Sequence, residues 1–202
     1  IGTQASVTAN LHGITTYGLK LTEDDRAASW LPLYHDMGLI GFVLSPMYGQ
    51  RSVDYIATSD FVRRPLLWLR LMSENRTTIT YSPSFGYDLS ARRAARAEDG
   101  ALDLSALRTA GIGGDMVRPE ALNAFTQAFS SVGFNPKAFL PSYGMAEATL
   151  AVSFTEIDAH IETDLVDMRH YTRSSIAQPA SAVTLPEHQR GFVLCGRPLP
   201  EH

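Results

Sequence analysis

The chain has 202 residues, with 17 Lys and Arg against 21 Asp and Glu for a formal charge of −4, and 45% of its residues are apolar. That composition is globular, which excludes a disordered chain or a fibre, and the length suits one ordinary domain or a piece of a larger one. The acidic balance argues against nucleic-acid binding, the single cysteine excludes an internal disulfide, and no apolar run reaches the roughly 18–20 residues of a membrane span.

In chain order, Val7 to Tyr17 is a helical candidate weakened by Gly13 and its threonines, and Thr22 to Asp25 reads as an acidic turn or a helix start. Ala28 to Leu31 reads as a buried strand ended by Pro32. Asp36 to Met47 is nearly all apolar and predicts a helix buried on most sides, with Gly38 and Gly41 where something packs close. Ser52 to Ile56 predicts a strand. Ser59 or Asp60 would cap the next helix, with Pro65 in or just past its first turn and Leu66, Leu67, Leu69, Leu71 and Met72 as its buried stripe.

Thr77 to Tyr81 is β-branched and aromatic, hence strand, and Ser82-Pro83-Ser84 breaks it. Tyr87 to Glu98 predicts a helix. Its Arg92, Arg93 and Arg96 read as a solvated face beside Glu98 and Asp99. Leu107 to Ile112 predicts a strand whose end is crowded by Gly111, Gly113 and Gly114. Pro119 then opens a helix carrying Leu122, Phe125, Ala128, Phe129 and Val132, terminated at Gly133. Ala138 to Leu140 predicts another strand, Pro141 to Gly144 a tight connection, and Met145 to about Val152 a helix. Residues 156–190 lose periodicity, and Gly191 to Cys195 reads as a last strand with Cys195 as a small core residue.

Alternating strands and helices predict an α/β layered domain with a mostly parallel sheet flanked by helices. The domain division follows: a core over 1–155, an irregular segment or insertion over 156–190, and the start of the next strand block over 191–202. Parallel sheets place ligands beyond the carboxyl ends of their strands, which directs attention to the loops after Leu31, Tyr81, Ile112 and Leu140. The first loop carries His35, a base, an anion contact or a plain cap-region side chain. The third carries Gly111-Ile112-Gly113-Gly114-Asp115, an approach for a flat ligand or simply a turn. The fourth carries Ser142 to Glu147: Tyr143 could stack on a planar base, and Glu147 could hold Mg2+ or serve a helix start. His160, His170 and His188 are too scattered to ligate a metal. No Gly-x-Ser-x-Gly elbow supports a serine hydrolase.

The run Ser29-Trp30-Leu31-Pro32-Leu33-Tyr34-His35-Asp36-Met37-Gly38-Leu39-Ile40-Gly41 resembles the signature of the fatty acyl-AMP ligases, in the acyl-adenylate-forming superfamily. Further segments agree in order: Thr58 to Phe61 with Arg63-Arg64-Pro65, Ser82 to Tyr87, Gly113 to Pro119, Leu140 to Glu147, and Cys195 to Pro200. The resemblance implies an enzyme that joins a medium- or long-chain fatty acid to ATP, with Mg2+, to give acyl-AMP and pyrophosphate. It implies nucleotide contacts at Gly113, Gly114, Asp115, Ser142, Tyr143, Gly144, Met145 and Ala146. It puts the metal at Glu147, catalytic roles at His35 and Glu147, and acyl contacts at His35, Met37, Gly38 and Phe85. Asp115 stands where many relatives have Glu, and Ala146 replaces the threonine common in acyl-CoA synthetases.

The resemblance also implies an acyl carrier protein or polyketide synthase carrier domain as partner; the single cysteine makes a cytoplasmic, reducing setting the default, and charge and hydropathy predict no nucleic acid and no stable membrane insertion. The patternless 156–190 falls where the family carries an insertion that hinders CoA thioester formation. Ile1 opens without a starter methionine, and the family's phosphate loop, ribose-binding aspartate and catalytic lysine are not in the sequence, so a fragment inactive on its own is expected. The alternatives are a fatty acyl-CoA ligase and a non-catalytic adenylate-binding fragment.

Overall fold

The computed structural model describes residues 2–94 and 102–200. Helix α1 (Gln4–His12) runs into a π-helical turn over Gly13–Gly18, and strand β1 (Arg26–Ser29) follows. The predicted apolar helix is one continuous rod, α2 (Asp36–Leu39), a π-helical stretch Ile40–Leu44, and α3 (Ser45–Gly49), followed by β2 (Ser52–Tyr55). Next come α4 (Thr58–Arg63), α5 (Leu66–Glu74), β3 (Ile79–Ser82), α6 (Ser84–Ala91), β4 (Thr109–Ile112) and α7 (Pro119–Phe129). The chain continues with β5 (Phe139–Gly144), β6 (Ala151–Phe154), β7 (Thr163–Asp167), α8 (Met168–Ser174), β8 (Gln189–Val193) and β9 (Arg197–Pro198).

Seven strands form one sheet in the order β2-β1-β3-β4-β5-β6-β9. The first five are parallel and the last two join antiparallel, so the expected α/β sheet flanked by helices is what forms. Period-two alternation divides its faces. In β3, Thr80 turns to the helix layer of α5, where its hydroxyl accepts from Trp68 Nε1 at 3.0 Å and donates to Ala28 O at 2.7 Å. Ile79 and Tyr81 face the other way, into a cavity.

The helix side is an aromatic core. Trp30 stacks on Phe61 at 4.0 Å, Trp68 meets Tyr87 at 5.4 Å, and Tyr87 meets Phe125 edge-on at 5.1 Å. The Tyr87 hydroxyl donates to Gly111 O at 2.9 Å, so this buried polar atom is satisfied. Burial pushes the Tyr87 pKa far up, because a phenolate there would have no water.

Several expectations need correction. Pro65 divides the predicted helix into α4 and α5, because it offers no N–H and its ring cannot continue the turn; α4 begins after Ala57 with no side-chain cap from Ser59 or Asp60. Helix α6 begins at Ser84, three residues earlier than expected, and the part of the expected Tyr87–Glu98 helix carrying Arg96 lies outside the described residues. Residues 141–144 are not a tight connection but the second half of β5. Nor do residues 145–152 form a helix: a 3-10 turn at Ala146–Ala148 and a positive φ at Thr149 (74°) reverse the chain into β6.

The reason for that reversal is tertiary. Buried Asn10 donates from Nδ2 to Ala151 O (2.7 Å) and accepts from Ala151 N–H (3.1 Å), acting as a ladder partner that local sequence cannot display. Segment 156–190 is not irregular either. β7 and α8 lie in it, and β7 pairs antiparallel with β8 from Thr163↔Val193 to Asp167↔Gln189. β7 is largely exposed and β8 mostly half-buried, and neither carries an apolar alternation to read. Cys195 lies two residues beyond β8, free and half-buried, and burial pushes its thiol pKa up.

One ion pair ties the amino ends of β1 and β4. Asp25, 3% exposed, accepts from Arg108 Nε (2.7 Å), Thr22 N–H (2.7 Å) and Thr78 Oγ1 (2.7 Å). Burial raises its pKa, but the Arg108 guanidinium and the hydrogen bonds from Thr22 and Thr78 outweigh it and hold the carboxyl at about 2, below the usual 3.8. A depressed carboxyl pKa contributes stability that is present above 3.8 and lost as pH falls toward 2, roughly 2 kcal/mol here. We expect the urea midpoint to drop over that window, and Asp25→Asn to cost about 3 kcal/mol at neutral pH while removing most of the acid-side slope.

Candidate functional site

The carboxyl ends of β1, β4 and β5 bring three separated segments together. After β1, His35 occupies the N-cap of α2 in extended backbone (φ −101°). Its Nδ1 lies 3.2 Å from the Met37 N–H and 2.7 Å from Asp36 Oδ1. Both contacts use Nδ1, so Nε2 has no partner among the described residues, and the side chain is 58% exposed at the rim. Met37 is buried behind it.

Gly38 fits for a different reason. A Cβ there would lie 2.1 Å from Pro32 O, because α2 begins directly against the preceding loop. Gly38 thus lets α2 start tight against that loop. We expect Gly38→Ala to cost about 3 kcal/mol in a denaturation experiment and to displace His35 with the helix start.

After β4, Gly114 has φ +81°, a left-handed conformation that glycine adopts without strain, and faces Met37 Sδ. Asp115 Oδ1 accepts from the Ser84 N–H at 3.0 Å, and the Ser84 hydroxyl donates to Met116 O at 3.2 Å and accepts from Arg118 N–H at 3.1 Å. The Asp115 carboxylate therefore fastens the start of α6 to this loop and leaves its backbone facing the site. From β5, Ser142 Oγ donates to Ile112 O at 3.3 Å, which closes the gap between the two strand ends. Tyr143 is 53% exposed, and its ring is held only by neighbours and a 3.9 Å contact of its hydroxyl to Met145 Sδ.

Two cavities meet at these residues. The first, about 260 Å³, has His35, Met37, Gly113, Gly114, Ser142, Tyr143 and Gly144 at its mouth. It runs between the sheet and the α2–α3 rod, past Phe42, Ile79 and Tyr81, to Asp25 and Arg51 at the amino ends of β1 and β2. The four residues of β1 make that path roughly 13 Å long. Its walls are mostly aliphatic and aromatic. The second, about 390 Å³, shares Gly114, Ser142, Tyr143 and Gly144 and adds Asp115, Met116 and Val117 on one side and Phe192, Val193 and Cys195 on the other. A long apolar slot and a shallower recess thus open on the two sides of Tyr143.

Other expected site residues stand apart. Met145, Ala146 and Glu147 lie exposed on the turn between β5 and β6, and line neither cavity. Phe85 packs edge-on to Trp30 at 5.5 Å and stays on the helix side. Sequence reasoning missed Tyr81 and Leu150 as cavity walls and Phe192 and Val193 as the far wall of the recess. The alternation in β3 could have marked Tyr81. Phe192 had no local signal, because the pairing of β7 with β8 places it.

Glu147 is a single exposed carboxylate. Among the described residues, no group of three or more His, Cys, Asp or Glu could hold a metal. That donor set fits Mg2+ held mainly by substrate phosphates and water, which needs only one or two carboxylates, and does not fit a caged metal. No helix among the described residues is long and apolar enough to cross a membrane.

The model of the AMP-binding enzyme family matches residues 1–199. A Caulobacter vibrioides protein named as an acyl-CoA synthetase is 49% identical over 96% of this chain and 34% of its own length. A medium-chain fatty acid–acyl-carrier-protein ligase of Teredinibacter turnerae is 37% identical over 83% of this chain and 26% of its own. Among solved structures, one from a study of the fatty acyl-adenylate ligases of E. coli and L. pneumophila superposes with TM-score 0.92 at 44% identity, covering 98% of this chain and 36% of that one. The L. pneumophila fatty acyl-adenylate ligase in complex with acyl adenylate and pyrophosphate superposes with TM-score 0.86 at 33% identity, over 96% and 33%. The chain spans between a quarter and about a third of the length of these curated relatives.

Proposed function

The chain belongs to the AMP-binding enzyme family, and from that premise we propose that the intact enzyme activates a medium- or long-chain fatty acid with ATP as a fatty acyl-AMP ligase. The observation that carries this is the pair of cavities meeting at Ser142–Gly144, one long and apolar, the other open and walled by Tyr143 and glycine backbone. A fatty acid carries an apolar tail and one anionic end, and such a slot accepts the tail while presenting the carboxylate at the mouth.

In this reading the carboxylate oxygen attacks the α-phosphorus of ATP, a P–O bond forms, and the bond to the β-phosphate breaks to release pyrophosphate. No protein nucleophile is required, so the work of the chain is alignment and charge stabilisation. Tyr143 offers a face for adenine, and the Gly113–Gly114 backbone lets the ring approach closely. His35, with Nε2 unpartnered at the mouth, donates to the carboxylate or to an α-phosphate oxygen. Met37 lines the acyl side. Gly38 holds the start of α2, and with it His35 and Met37, against the preceding loop, and Met145, Ala146 and Glu147 flank the phosphates. Glu147 would hold Mg2+, which when bound neutralises the phosphate oxygens. Acid-dependent pyrophosphate release by the intact enzyme, with the acyl-AMP trapped as a hydroxamate, tests the proposal; release without any acid dependence contradicts it.

The acyl group then passes to a carrier-protein thiol, with segment 156–190 acting as the insertion that disfavours free CoA. The name of the Caulobacter relative favours a second reading, an acyl-CoA ligase. Comparing thioester formation on free CoA and on a phosphopantetheinylated carrier separates the two.

A further inference from the structure

Away from the cleft, α4, α5 and the end of α6 enclose a recess of about 200 Å³. Four arginines line it: Arg63, Arg64, Arg70 and Arg93. The chain is acidic overall, yet no carboxylate lines this recess and none of the four forms an ion pair among the described residues. The neighbouring Arg92 shows the contrast, since it pairs with Asp88 at 2.8 Å. Arg92 and Arg93 are both exposed, as the sequence expectation of a solvated face has it, but only Arg92 is paired among the described residues.

Four guanidinium groups around one small recess repel one another, and they sit beside the amino-terminal end of the nine-residue α5, where the helix dipole adds further positive potential. A surface of this kind is complementary to an anionic partner. Its floor is Pro65, Leu66 and Leu67, half-buried or buried, with Val62 56% exposed alongside. An apolar floor inside a guanidinium rim fits a folded partner presenting carboxylates around a few apolar side chains better than it fits a free inorganic anion.

Placement connects this face to the cleft. The Thr58 hydroxyl donates to Trp30 O at 2.8 Å, which fixes the start of α4 at the edge where the His35 loop leaves the sheet. The six residues of α4 then carry Arg63 roughly 9 Å farther along the surface. A partner seated on the arginines stands beside the mouth of the cleft without covering it.

We propose that the Arg63, Arg64, Arg70 and Arg93 face docks the acidic surface of the carrier protein that accepts the acyl group. This rests on the carrier-transfer reading above. The test uses the intact enzyme and a phosphopantetheinylated acyl carrier protein. Adenylate formation is measured by single-turnover pyrophosphate release, and transfer by acylation of the carrier. The Arg63→Glu/Arg93→Glu double variant should form adenylate at the unmodified rate and show a KM for the carrier raised about tenfold, with Arg63→Gln/Arg93→Gln between the two. Added salt should raise the carrier KM of the unmodified enzyme and leave that of the reversed variant nearly flat.

An unchanged carrier KM in both variants overturns the proposal. So does a loss of adenylate formation in step with transfer in both, which would make the arginines supports of the fold. Failure of the underlying reading is seen separately, on the unmodified enzyme, as absence of adenylate or as acyl transfer to free CoA alone.

Discussion

Glu147→Gln in the intact enzyme is expected to lower the rate of adenylate formation by about a hundred- to a thousandfold. The substitution keeps the shape of the side chain and removes its charge. Glu147 is exposed on the turn after β5 and forms none of the hydrogen bonds or ion pairs of the core, so the melting temperature should stay within a degree or two of the unmodified protein. The loss should therefore be catalytic. Raising the Mg2+ concentration should recover part of it, because an amide oxygen binds a hard cation more weakly than a carboxylate. Full activity in this variant would remove Glu147 from the phosphate end of the site.

Tyr143→Ala is expected to raise the KM for ATP by about ten- to a hundredfold, the range that stacking of one base on an aromatic ring supplies. The KM for the fatty acid should change far less, because the apolar slot keeps its Phe42, Ile79 and Tyr81 walls. Tyr143→Phe should be close to neutral, since the hydroxyl meets only Met145 Sδ at 3.9 Å. A large effect of Tyr143→Phe would mean that the hydroxyl, not the ring face, makes the contact. The ring is half exposed, so its removal opens no core cavity and the comparison is not confounded by unfolding.

Much of the architecture was legible because the parallel strands are punctuated locally. Pro32, Pro83 and Gly113 each close a short run that reads as strand, and the helix from Pro119 shows its stripe directly in Leu122, Phe125 and Phe129. The loops that form the mouth were legible for the same reason, as the turns after parallel strands. What failed was non-local. The turn from β5 into β6 depends on Asn10 bonding to Ala151, 141 residues away in the chain. The far wall of the recess depends on β8 pairing with β7, and neither strand carries an apolar rhythm. Gly38 and Phe85 were read as substrate contacts because they stand within matching motifs, whereas their neighbours are Pro32 and Trp30.

The central claim is that a nucleotide and an acyl chain occupy the two cavities and meet at Ser142–Gly144. A crystal structure of the intact enzyme with a nonhydrolysable acyl-adenylate analogue, an acyl sulfamoyl adenosine, tests it most directly. The account predicts adenine against Tyr143 in the recess walled by Phe192 and Val193, and the alkyl chain running past Phe42 and Tyr81 toward Asp25. An analogue bound elsewhere, with both cavities left without it, would contradict the account.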